Sequence, residues 1–169
     1  MNARIAAAVI QLLTVVPFLL GIYSVTFYGA AAQRAAEAEM ARQNQPLELL
    51  TGNGISFAGS EGLAIVIIVI LVVLALLNLT GRRIGRILSW IFQPILLVLG
   101  VVIIPGQVFT ARFLEPVLPG VDTHTLVAAA LGAMPAWATT VSWAKLVLTT
   151  AGSVAVVVLL IRAAKATSR

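Results

Sequence analysis

The chain has 169 residues, of which 60% are hydrophobic and only 10% charged, with a net charge of +5. A soluble domain averages roughly 45–50% apolar and about 25% charged, and a chain this short has too little interior to hide such a surplus from water. There is no cysteine and a single histidine, His124, which excludes disulfides, thiolate metal sites and a bis-histidine haem.

A lipid bilayer resolves the surplus, because lipid can face apolar side chains directly. The expected class is therefore all-α: a polytopic integral membrane protein, one domain over 1–169, built as a bundle of four transmembrane helices. A hydrocarbon core about 30 Å thick needs roughly 20 apolar helical residues. The first span is predicted over 5–30, since no residue between Arg4 and Arg34 is charged. Its basic start and the alanines at 30–32 resemble a secretory signal. The apolar run far exceeds the usual length of about 7–15 residues, however, and is read as an uncleaved span.

The segment 31–61 follows. Its first part, "AAAQRAAEAEMARQNQ", is rich in strong helix formers, so the first helix is expected to continue to about Asn44, before Pro46. Arg34 and Glu37 are three apart, as are Glu39 and Arg42, and each pair can meet on a helix surface. "TGNGISFAGSEG" reads as a flexible re-entry loop. The second span is predicted over 62–80, where "LAIVIIVILVVLALL" is apolar without a break. A short connector, 81–86, leads to the third span over 87–106, in which Pro94 predicts a kink.

The next segment, 107–139, opens with turn-rich chain and then offers "LVAAALGAMPAW". That piece is too short to span and suits an interfacial or re-entrant helix, with Thr125 to cap it and Pro135 to end it. The fourth span is predicted over 140–162. Its one charge inside the apolar run, Lys145, lies near one end and is expected to snorkel to the interface.

Charge sets the expected direction. With four spans, the chain ends and the connector share a side that carries Arg4, Arg82, Arg83, Arg86, Arg162, Lys165 and Arg169. The other side carries Arg34, Arg42, Arg112 and Lys145 with all 6 acids. The positive-inside rule makes the first side cytoplasmic, N-in and C-in. Arg4, Arg82, Arg83, Arg86, Arg162 and Lys165 then anchor to anionic headgroups. A docking patch for a cytoplasmic partner or nucleic acid is the competing reading of the three connector arginines. Aromatics agree with the orientation: Trp90 falls near the cytoplasmic boundary, and Tyr23, Tyr28, Trp137 and Trp143 fall toward the outer one.

Little catalytic material is left. No Asp or Glu sits at mid-depth in a span, which argues against ion-coupled transport. Gln11, Asn78 and Gln93 fall at similar depth from their basic anchors and are expected to form a polar layer. Gln11 and Gln93 are expected at matching depth on neighbouring spans, within hydrogen-bonding reach of each other through a water. Helix adhesion is the plain role for such a layer, and a bound phospholipid headgroup is the ligand it would take. His124 with Asp122 and Glu115 lacks a defined metal-ligand spacing, and no metal or cofactor is expected.

The expected function is that of a non-catalytic accessory, assembly or stabilising subunit of a larger membrane complex in a bacterial inner membrane. Its partners would be lipid and other membrane subunits, with no nucleic acid. Leu126, Leu131, Met134 and Trp137 are the expected partner surface. A small homo-oligomeric channel, pore or carrier is the alternative.

Overall fold

The computed structural model describes residues 3–59, 62–81 and 83–167, without the side chains of 165–167. Of the charged residues assigned to the two sides above, Arg82, Arg169, the acid Glu61 and the side chain of Lys165 lie outside this description. The described chain is 82% helix and holds no strand. In order, the elements are α1 (Ala3–Arg42), α2 (Glu48–Gly52), α3 (Gly62–Leu79), α4 (Arg83–Val102), α5 (Ile104–Val108), α6 (Thr110–Leu114), α7 (Thr123–Gly132) and α8 (Trp137–Thr167). Four helices, α1, α3, α4 with α5, and α8, are long and apolar enough to cross a membrane.

Helix α1 runs unbroken for 40 residues, with Pro17 inside it. At 1.5 Å per residue it is about 60 Å long, twice the thickness of a hydrocarbon core of about 30 Å. The face α1 buries includes many small residues, Ala7, Ala8, Gly21, Ser24, Gly29, Ala32 and Ala36, beside larger ones such as Phe18 and Met40. Small residues let helix backbones approach closely, and α1 is the element on which both α3 and α8 pack most extensively. Helix α4 closes the other side against α8 and α3. The sharp turn between α3 and α4 uses Gly81 at φ 68°. Just beyond it Gly85 lies so near the Leu77 backbone that a Cβ would stand 2.7 Å from the Leu77 carbonyl carbon.

Beyond the apolar half of α1, a cap is built from α2, the 53–59 loop, α6 and α7. Its core is Ala32, Ala36, Met40, Leu50, Leu118, Leu126 and Ala130. Thus α7 packs on the extension of α1. Asn44 stops α1 in the left-handed region at φ 54°, which asparagine tolerates better than most residues, and Gln45 N–H closes the last turn onto the Met40 carbonyl at 2.9 Å. Asp122, rather than Thr125, caps α7: its carboxylate accepts from the backbone N–H groups of His124 and Thr125 at 3.1 Å each. Charge and turn chemistry therefore start this helix three residues earlier than the apolar run suggests.

Candidate functional site

Three places concentrate polar groups. The first is the end of the molecule where the α3–α4 turn meets the start of α1. Asn78 Nδ2 donates to Gln11 Oε1 at 3.1 Å and to Ser89 Oγ at 2.9 Å, and Gln11 Nε2 donates to Ser89 Oγ at 3.3 Å. All three residues are buried, and each comes from a different helix. Gln93 is also buried, but its Nε2 has no hydrogen-bond partner among the described residues. The direct bond from Gln11 thus goes to Ser89 and not to Gln93. Ser89 lies one helical turn nearer the connector on the same face of α4, so the partner is shallower than a count of seven residues from Arg86 suggests. Nearby, Arg4 Nη1 donates to the Gly81 carbonyl at 3.3 Å. Arg83 and Arg162 are exposed and Arg86 is half-buried.

The second place is the cap, where glutamines hold the parts together. Gln43 Nε2 donates to Thr125 Oγ1 at 2.9 Å, to the Asp122 carbonyl at 3.2 Å and to Glu39 Oε1 at 2.8 Å, while its Oε1 accepts from Asp122 N–H at 2.8 Å. Gln45 Nε2 donates to the Gly120 carbonyl at 3.0 Å. Gln33 Oε1 accepts from Phe57 N–H at 2.8 Å, and its Nε2 donates to Glu37 at 2.9 Å. Glu37 is therefore paired with Gln33, not with Arg34. Arg42 grips Glu39 through two bonds of 2.7 Å. Those bonds, followed by the one from Gln43, lower the Glu39 pKa to about 2, and the Glu39 carboxylate raises that of Arg42. Sequence reading missed these glutamines because glutamine in a helical run reads only as a helix former. The available signal was Gln43 and Gln45 on either side of Asn44, just before Pro46.

Leu126 is fully buried in the cap core, so it is not available as a partner surface. Met134 packs against the same core. Leu131 is 41% exposed and Trp137 36%, with the Trp137 ring 6.2 Å from that of Tyr23. His124 Nε2 lies 3.4 Å from Glu115 Oε1 on the surface. No group of three or more His, Asp or Glu side chains suited to a metal occurs among the described residues.

The third place is a chamber of about 400 Å³ between the long helices and beneath the cap. Lys145 lines it. Its ammonium does not snorkel to an end of α8: it turns inward, 5.7 Å from the centre of the Phe18 ring and against Gly21. A Cβ at Gly21 would lie 2.6 Å from Lys145 Cε and closer still to Nζ, so the glycine makes the room the lysine occupies. Position in sequence gave the depth of Lys145 but not the direction it faces. Two hydroxyls line the same chamber, Ser24 Oγ and Thr149 Oγ1, both buried and without a hydrogen-bond partner among the described residues. In comparisons with known proteins, no family model, curated sequence or solved structure matched the chain.

Proposed function

We propose that the protein is a multi-pass membrane protein of a bacterial inner membrane, with both termini cytoplasmic, that serves as a non-catalytic accessory or stabilising subunit of a larger membrane complex. The observation that carries this reading is where the polar groups go. Gln11, Asn78 and Ser89 bond to one another across three helices, and the cap glutamines bond to the cap's own backbone. A pore would turn such amides toward a water column, whereas here they serve adhesion. The channel alternative is the weaker one on that ground. The cap carries the surface for a partner, with Leu131, Trp137 and the neighbouring Tyr23 exposed.

Two measurements test this. With no native cysteine, a cysteine at Asn53 should react with an impermeant maleimide in intact cells, and one at Arg83 should react only after permeabilisation; the opposite pattern overturns the orientation. Gentle detergent extraction should yield a stoichiometric foreign subunit that Leu131→Asn with Trp137→Gln releases while the chain stays inserted. A closed ring of this chain alone would overturn the subunit reading.

A further inference from the structure

We infer that the chamber beneath the cap is a binding site for a single-tailed anionic amphiphile, its head held by Lys145, Ser24 and Thr149. This goes beyond the subunit reading and does not depend on it. Three independent features converge.

The first is position. Lys145 lies eight residues into α8, about 12 Å along its axis from Trp137. An ionisable group so placed among apolar helices marks a functional site by default, because holding a charge there is unfavourable. The Gly21 gap and the Phe18 ring hold its ammonium toward the interior. The second is the pair of buried hydroxyls. In a helix, serine and threonine ordinarily satisfy themselves by donating to the carbonyl four residues back, as Thr14 does to Ile10 at 2.8 Å and Thr150 to Leu146 at 2.6 Å. Ser24 and Thr149 do not, and both face the chamber. Buried polar atoms left this way call for a partner that completes them. Lys145 and Thr149 are one turn apart on α8, so their polar ends reach the same region of the wall.

The third is the aliphatic lining. Leu63 and Ile67 of α3, Leu99 of α4 and Ile103 just past its end line the chamber, while α1 and α8 supply the lysine and the two hydroxyls. A cation with two hydroxyls from one pair of helices and aliphatic chains from the other describes an anionic oxygen head joined to an apolar tail. A volume of about 400 Å³ lies within the roughly 300–1,000 Å³ typical of small-molecule pockets, which suits one tail better than a two-tailed phospholipid.

The test uses the full chain, purified and delipidated in a neutral detergent, with oleate as probe, oleyl alcohol as the same tail without charge, and inorganic phosphate as a charge without tail. Binding is read by native mass spectrometry and by thermal shift. Oleate should bind once per chain, and Lys145→Met should weaken it roughly tenfold or more, the usual loss for a charge-assisted hydrogen bond. Lys145→Arg should retain most of the affinity, and oleyl alcohol should be indifferent to either change. Should Lys145→Met fail to fold, the double variant Ser24→Ala with Thr149→Val is expected to weaken oleate binding severalfold. The proposal is overturned if oleate does not bind, if oleate and oleyl alcohol bind alike, if the variants leave oleate affinity unchanged, or if phosphate alone binds as tightly as oleate.

Discussion

Asn78 donates to both Gln11 and Ser89, and Gln11 Oε1 accepts from Asn78, so removing Asn78 orphans that buried acceptor. Interhelical hydrogen bonds contribute only about 0.6–2 kcal/mol, yet an orphaned acceptor adds its own desolvation cost. Asn78→Ala should therefore destabilise the fold by roughly 1–3 kcal/mol, measured by reversible denaturation in mixed micelles. Ser89→Ala should cost less in the Asn78→Ala background than alone, since the two share a partner; strict additivity would show that the cluster is not one unit. Glu39 belongs to the cap, outside the apolar part of α1, and its behaviour is set by pH. Its folded pKa of about 2 lies below the ordinary carboxyl value of 4.5. A carboxyl depressed by folding contributes stability that is fully present above its unfolded pKa and is lost as pH falls through the folded one. Glu39→Gln should lower the cap's thermal midpoint by a few degrees at pH 7, and the gap between variant and parent should close between about pH 4.5 and pH 2. A gap independent of pH would assign the effect to shape instead of charge.

Among elements, helices α3 and α4 are set by one close approach. A Cβ at Gly85 would lie 2.7 Å from the Leu77 backbone, which cannot yield as a flexible side chain could. Gly85→Ala should cost roughly 1–3 kcal/mol by overpacking. Gly132→Ala, where a Cβ meets nothing within 4 Å, should be close to neutral, and equal losses at both sites would deny the contact its role. The cap depends on α1 through Gln43. Gln43→Ala should speed hydrogen exchange across α7 severalfold while leaving α3 and α4 unchanged; uniform acceleration would mean that the cap and the long helices unfold together. The four long helices were legible in the sequence because length and unbroken apolarity are one-dimensional properties. So was the stop of α1 near Asn44, where turn chemistry is local. The facing of Lys145, the choice of Ser89 over Gln93 and the glutamine ties of the cap were not. Each depends on rotation about a helix axis or on a partner distant in sequence, as in the Gln43–Thr125 and Gln11–Ser89 bonds, 82 and 78 residues apart.

For the whole molecule, the continuity of α1 links every functional place described. Along one rod it carries Gln11 of the amide cluster, Gly21 and Ser24 of the chamber, and Gln33, Met40 and Gln43 of the cap. The helix is continuous through all these stations, so it acts as a ruler with a fixed phase. Inserting one residue between Gly29 and Ala32 would advance everything beyond it by 1.5 Å and turn it by about 100°. Gln33, Met40 and Gln43 would all leave their partners at once, while Gln11, Gly21 and Ser24 stayed in place. A seven-residue insertion would nearly restore the phase, falling about 20° short of two turns, but it would lift the cap about 10 Å clear of the loops that must reach it. Changes of length are thus barred from this helix and confined to turns such as 115–121, and the chain can drift in composition along α1 far more freely than it can gain or lose a single position there.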